Sequence, residues 1–451
     1  MPEAIRLESV SQRPFFGGKS TGGAPRANNT VSKLLWPEGG VFSEEGWFPP
    51  MIRNWQFTFP SRIQFGRGLL RRVGLAAQPL GSRAMLVGYA ANAGPAGALA
   101  TAEKALTDAK LAVIPFAAVV GEPTAALVEQ GAELARTEQL DVVVAVGGGS
   151  VIDAAKGIAL LTRTTGALAD YADTTPNRKP AAEAIPVVAV PTTAGTGAEA
   201  TQVAVFSHQG AKISITAPVL RPTVALVDPD LSAACDAVTT AACGADALAH
   251  AMEACMSRAA QPVSTALAFQ AIELVVSQLP AALAQPDNRE ARDALAVAAT
   301  LAGMALNESG VTLTHSVAHA LGALLHLPHG QCVARATPLN LRVNRSACES
   351  LYARWARLCG LQGADAAGLA DAWIARIEAL LDQAGLLGPL PRGSAAPETA
   401  AWDRERWAAE LARSAFQTTP TPLRLNPVPI DEATLARGIA EHVLNVGWAD
   451  D

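Results

Sequence analysis

The stretch Asp141–Thr162, DVVVAVGGGSVIDAAKGIALLT, decides the fold. A continuous apolar run is followed by three glycines and a serine, and then by a helical pattern. A strand apolar on both sides must be covered on both sides, which is the situation of a central strand in a parallel sheet. The glycines make a strand-to-helix turn. Such a turn offers backbone N–H groups at a helix N-terminus, where a pyrophosphate can sit close to the chain. The pattern is not GxGxxG, and the same turn also serves as a tight connection without any ligand.

Working outward, the neighbouring segments repeat this grammar. FTFPSRIQFG reads as two short strands, and Arg83–Tyr89, RAMLVGY, as an apolar strand before a helix over about 94–109. LAVIPFAAV is the next strand, and a helix covers about 124–137. Ile185–Thr193 and Thr223–Pro229 are further strands. Apolar strands alternating with helices mean βαβ units. PTTAGTGAEAT, Pro191–Thr201, is a second turn after a buried strand, and the hydroxyls of Thr192, Thr193 and Thr196 suit phosphate. Two such turns at strand C-termini form a nucleotide crevice.

After Asp230 strand signals stop and Ala- and Leu-rich helical periodicity continues, broken near Gly388–Pro397 and Thr418–Pro429. The fold class expected is therefore an α/β nucleotide-binding domain over 53–230 followed by an all-helical domain over 231–451. Residues 1–52 form a separate arm, rich in Gly, Ser, Pro and Asn. It still carries Phe15, Phe16, Leu34, Leu35, Trp36, Phe42, Trp47 and Phe48, enough to pack part of it on its own subunit or a neighbour.

With 451 residues, two domains are the natural reading. Half the residues are apolar, and the net charge of -6 with pI near 5.7 disfavours nucleic acid as a partner. Six cysteines without CxxC spacing, mostly in apolar surroundings, read as free thiols in a reducing compartment. No apolar run reads as long enough to span a bilayer, and a cytoplasmic location is expected.

Thr314–Gly330, THSVAHALGALLHLPHG, holds four of the seven histidines. His315 and His319 are four apart and share a helix face. Pro328 should end that helix, leaving His329 on the following turn with Gly330 permitting a sharp bend. His326 either touches substrate or finishes the helix. Upstream, Gly244–Arg258, GADALAHAMEACMSR, places Asp246 and His250 four apart on one face. Alone, that is a satisfied helix-face pair or half of a metal site. Joined with His315 and His329 it is a one-carboxylate, three-imidazole set suited to Fe(II) or Zn(II). His319, one turn from His315, is placed to carry a proton without ligating.

These residues resemble the iron-containing (group III) alcohol dehydrogenase family. GGGSVIDAAKGIA, PTTAGTGAEAT, VDPDL, DALAHAMEA, HSVAHALGALLHLPHG and NPVPI carry the resemblance in order from about 57 to 445. It implies an active site in the cleft between the two domains, with Asp246, His250, His315 and His329 as metal ligands and His319 as the proton relay near the nicotinamide. It implies cofactor contacts from Gly148, Gly149, Ser150, Asp153, Thr192, Thr193 and Thr196, with Lys212 reaching the ribose. The expected function is a metal-dependent NAD(P) alcohol dehydrogenase, or aldehyde or ketone reductase, acting on a small substrate as a homodimer or larger homo-oligomer. Many NAD-preferring members carry an acid where Gly88–Tyr89 stands here, so NAD and NADP both stay open. The arm lies outside the resemblance.

Two relatives give alternatives: a maleylacetate-reductase-like enzyme that works without metal, disfavoured by the full ligand set, and a hydroxyacid–oxoacid transhydrogenase. A dehydroquinate-synthase-type lyase shares the architecture, but no dense Lys/Arg set for a phosphorylated substrate accompanies the helical motifs. Residues near Thr201, Leu248, Asn307, Leu313 and His326 are expected around the substrate.

Overall fold

The computed structural model describes residues 54–90, 94–179, 181–388 and 402–444, all within one compact unit. The arm and its aromatic residues lie outside the described residues.

The strands are β1 (Arg62–Phe65), β2 (Arg83–Tyr89), β3 (Ala112–Val119), β4 (Val142–Gly147), β5 (Val187–Pro191), β6 (Val203–His208), β7 (Ala211–Thr216) and β8 (Val224–Val227). Among them run α1 (Val73–Ala77), α2 (Ala98–Asp108), α3 (Ala125–Thr137) and α4 (Gly149–Arg163). Six strands make one parallel sheet in the order β1-β8-β5-β4-β2-β3. β4 is buried along its whole length. Val143 and Ala145 pack with Val128 and Ile158 on one side, while Val142, Val144 and Val146 pack with Leu106 and Val73 on the other. Two-sided cover explains the unbroken apolar run, each buried valine contributing about 1.5–3 kcal/mol.

Every later element among the described residues is helical: α5 (Pro229–Ser232), α6 (Ala237–Met256), α7 (Pro262–Ala284), α8 (Arg289–Ser309), α9 (Leu313–Leu325), α10 (His329–Val343), α11 (Glu349–Leu358), α12 (Ala366–Gln383), α13 (Arg404–Thr418), α14 (Pro420–Leu425) and α15 (Glu432–His442). Two apolar cores hold them. One joins α6, α7, α8, α11 and α12 around Ile272, Trp355 and Trp373; the other joins α9, α10, α13 and α15 around Leu321, Leu411 and Leu435.

Several expectations are corrected. FTFPSRIQFG gives one strand, β1; Phe57–Pro60 runs outside any strand, since Pro60 has no N–H for a ladder. β6 and β7 form an antiparallel hairpin that sequence reading overlooked, turning at Gln209 and Gly210 with φ of 51° and 78°. His329 does not sit on a turn but opens α10 behind Pro328. Gly330 lies inside α10 and is needed for close packing: a methyl there would meet the Ala242 carbonyl of α6 at 2.4 Å.

Among the described residues one helix, α7, is long and apolar enough to cross a membrane, contrary to the sequence reading; here Ala268, Ile272, Val275 and Leu279 bury one face in the helical core. α8 and α9 pass the same test together only as a pair bent by 105°. Of the residues named near the substrate, Leu248 and Leu313 are core residues, Thr201 bonds Lys156, and Asn307 bonds the Gln202 N–H.

Candidate active site

The two turns leave the sheet side by side because β4 and β5 are adjacent, with Gly147 in register with Pro191. The Thr192 N–H donates to the Gly147 carbonyl at 3.0 Å and ties them together. α4 starts directly at Gly149 with Gly148 as its N-cap. Space over this helix start is tight. A methyl on Gly148 would lie 2.7 Å from the Tyr89 hydroxyl and 3.1 Å from Thr193 Oγ1; one on Gly149 would lie 2.7 Å from Thr196 Cγ2. Thr193 and Thr196 thus stand over the turn, while Thr192 is buried. Tyr89, at the end of β2, accepts the Gly148 N–H at 3.2 Å.

Asp153 is engaged within the protein. Its Oδ2 accepts the Val205 N–H at 3.0 Å, and its Oδ1 lies 3.6 Å from Nζ of the fully buried Lys156. Burial raises its pKa to about 6 against the pull of Lys156. Asp153 therefore fastens α4 to the hairpin, and the expected cofactor contact is not its visible task. The hairpin in turn carries Lys212, whose Nζ sits 3.2 Å from Glu122 Oε1. A methyl on Gly322 of α9 would meet that Nζ at 3.2 Å, so the ammonium lies against the helix of His315 and His319.

The helical half gathers the metal candidates. α6 is buried from Gly244 to Met256, so its polar side chains need partners inside the core. Asp246 Oδ1 lies 3.7 Å from His250 Nε2, 3.5 Å from His315 Nε2 and 3.6 Å from His329 Nε2. Asp246, His315 and His329 can each offer a ligand atom within 4.8 Å of the others, and His250 stacks on His315 with ring centroids 4.4 Å apart. Donors about 2.1 Å from one tetrahedral ion stand about 3.4 Å apart, so the spacing fits. Asp246 Oδ1 and His315 Nε2 are buried without a hydrogen-bond partner. Two unpartnered atoms facing each other at this distance are what a cation would satisfy.

Burial and the two carboxylates act differently on the members of the group. Burial pushes the Asp246 carboxyl up, but His250, His329 and His315 outweigh it and hold it below the usual range. Burial lowers His250 to about 4 and His329 to about 3, leaving neutral imidazoles, the form that binds metal. For His315, burial is outweighed by Glu253 and Asp246, which raise it to about 9. His319 is depressed well below its ordinary value by burial, with Lys212 and His329 adding to it. Its ring centroid is 5.5 Å from that of His329 and 6.5 Å from that of His315, beside the set. His326 takes the left-handed C-cap of α9 at φ 53° and is exposed, which fits the helix-ending alternative.

Sequence reading missed Glu253. This carboxylate is fully buried and hydrogen-bonds His315 Nδ1. The signal was present: Asp246, His250 and Glu253 stand at i, i+4 and i+7 on one face of α6. Glu122, the partner of Lys212, was missed as well, and nothing in its local sequence marks it.

A family model described as "Iron-containing alcohol dehydrogenase" matches residues 60–229, and one described as "Fe-containing alcohol dehydrogenase family, C-terminal" matches 240–418. The chain is 35% identical to the NAD-dependent methanol dehydrogenase of Bacillus methanolicus over 328 residues, covering 71% of this chain and 85% of that protein. It is 37% identical to the 1,3-propanediol dehydrogenase of Citrobacter freundii over 338 residues, covering 72% and 86%. A crystal structure of a 1,3-propanediol oxidoreductase superposes with a TM-score of 0.78 at 32% identity, covering 86% of this chain and all of that one.

Proposed function

The chain belongs to the iron-containing alcohol dehydrogenase family, and on that premise we propose that Asp246, His250, His315 and His329 hold its divalent metal while the turns at Gly148–Ser150 and Thr192–Thr196 hold its nicotinamide cofactor. The protein is an oxidoreductase of CH–OH groups that moves a hydride between a small alcohol or carbonyl compound and NAD or NADP. The observation that carries the metal assignment is one buried carboxylate oxygen within 3.5–3.7 Å of three imidazole nitrogens. That donor set, one hard oxygen and three borderline nitrogens, suits Fe(II), with Zn(II) as a substitute.

A bound divalent cation makes an alcohol O–H more acidic and polarises a carbonyl, and the nicotinamide carries the hydride. The protein's residues supply the rest. Glycines 148 and 149 let the cofactor's phosphates approach the first turn of α4, where backbone N–H groups meet negative charge. Thr193 and Thr196 flank that path. Lys212, on the hairpin, reaches from the sheet side toward α9 and orients the cofactor ribose. His319 stands beside the set without joining it, and from there it would take up the alcohol proton during oxidation and return it during reduction. The burial of Asp246, His250 and His315 limits water near the reacting carbon.

A metal-free oxo-acid reductase does not account for the unpartnered Asp246 and His315 atoms. The six cysteines are all unpaired, the chemistry of a reducing compartment, and this supports a cytoplasmic enzyme. The family reading carries a homodimer or larger assembly with it. Turnover measured with short alcohols and aldehydes, each with NAD and with NADP, tests the proposal. Nicotinamide-linked oxidation of at least one alcohol class is expected; inactivity of iron-loaded protein on every alcohol and aldehyde would contradict it.

A further inference from the structure

Glu253 sits one helical turn beyond His250 on α6 and is shielded from solvent entirely. Its Oε1 accepts the Thr312 N–H at 3.0 Å, the Thr312 hydroxyl at 2.8 Å, the Thr314 N–H at 2.8 Å and the Asn340 side-chain amide at 3.2 Å. All four are donors, so Oε1 acts purely as an acceptor. Its Oε2 faces His315 Nδ1. With Oε1 committed to four donors, Oε2 accepts from His315, which carries a proton on Nδ1. Nε2 is then the ring atom turned toward Asp246 Oδ1, 3.5 Å away, where neither atom has a hydrogen-bond partner, and in the neutral imidazole its lone pair would be the one offered to a cation. The N-cap of α9, Thr312, makes no side-chain cap of its own, and Glu253 takes over that duty from another helix.

We propose that Glu253 is the positioning residue of the metal centre: through Oε2 it fixes the tautomer and ring angle of His315, and through Oε1 it anchors the first turn of the helix that bears it. This rests on the metal assignment made above. Metal affinity then depends on a side chain that touches neither metal nor substrate. Carboxylates behind ligating histidines have this effect generally, their loss weakening metal binding by about 10- to 100-fold.

Glu253→Gln is the discriminating change. The glutamine oxygen must stay with the Thr312 and Thr314 N–H groups, which turns its NH2 toward His315 Nδ1. The imidazole then shifts its proton to Nε2 and blocks the ligand atom. Full-length protein stripped of metal would be titrated with Zn(II) against a chromophoric chelator, with thermal unfolding followed in parallel. Wild type should bind Zn(II) tightly, and the variant about 10- to 100-fold more weakly, with a smaller zinc-induced rise in Tm. Equal zinc affinity in a folded variant would overturn the inference, reducing Glu253 to a helix cap. Failure of wild type to bind zinc or iron would overturn the metal assignment, and the inference with it. Should the variant not fold, histidine ¹⁵N spectra of zinc-loaded wild type decide: a proton on His315 Nδ1 supports the inference, and a bare Nδ1 overturns it.

Discussion

The two halves of the site are built in opposite ways. In the α/β half, the turns proposed to hold the cofactor consist of backbone: glycines at a helix start, where the absence of side chains is what matters. In the helical half, the metal candidates are side chains, three buried and His329 half-buried, with Glu253 bonded to His315 and Asn340 bonded to Glu253 in turn. A backbone site tolerates loss of side-chain atoms but not their addition. A side-chain site tolerates neither. Substitutions should separate the halves accordingly.

The largest effect expected short of removing a ligand comes from adding one methyl to the helical half. Gly330→Ala meets the Ala242 carbonyl at 2.4 Å, a backbone atom that cannot turn aside, and so drives α10 from α6. His329, the preceding residue, moves with it. Overpacking of this kind costs about 1–3 kcal/mol, which should weaken zinc binding by about ten- to a hundredfold in chelator competition. Unchanged zinc affinity would mean that the cage is softer than its burial suggests.

In the α/β half, Gly149→Ala places a methyl 2.7 Å from Thr196 Cγ2. Thr196 is a side chain and can yield, so a smaller rise is expected, about tenfold in the KM for NAD or NADP with metal content intact. Thr193→Ala only removes atoms, and the backbone N–H groups remain; its KM should change less than about threefold. Steady-state kinetics with cofactor varied reads both, and a larger effect from Thr193→Ala than from Gly149→Ala would erase the distinction drawn between the halves.

That contrast also explains what the sequence disclosed. β2 and β4 were legible because two-sided burial leaves an apolar run, and His315, His319 and His329 because they crowd into one segment, whereas His250 stood out only through its spacing from Asp246. The β6–β7 hairpin was not: VAVFSH and AKISIT are half-buried, and the Gln209–Gly210 turn is a weaker cue than Asn-Gly. FTFP misled in the other direction, offering aromatic residues of high strand propensity around Pro60, which has no N–H to give to a neighbouring strand. Glu253 escaped notice because its role depends on α9 lying across α6, a tertiary fact. His329 and Gly330 were assigned to a turn because Pro328 ends one helix and, just as readily, starts another.

The smallest effect concerns the base of the cofactor turn. Burial raises Asp153 to about 6 in the folded protein, above its ordinary value of 3.8. A carboxyl raised on folding adds stability fully below the unfolded pKa and loses it as pH climbs through the folded one. Wild type should therefore lose this contribution between about pH 4 and pH 6, and Asp153→Asn should not. The difference in Tm between the two, followed over that range, should change with pH; a constant difference would show that Lys156 keeps Asp153 ionised throughout.

The central claim is that four side chains of the helical half hold one metal ion. Elemental mass spectrometry of protein purified without air, beside His315→Ala, tests it most directly. The account predicts close to one iron or zinc per wild-type chain and a large loss in the variant. An active wild type without bound transition metal, or a variant that keeps its full complement, would contradict it.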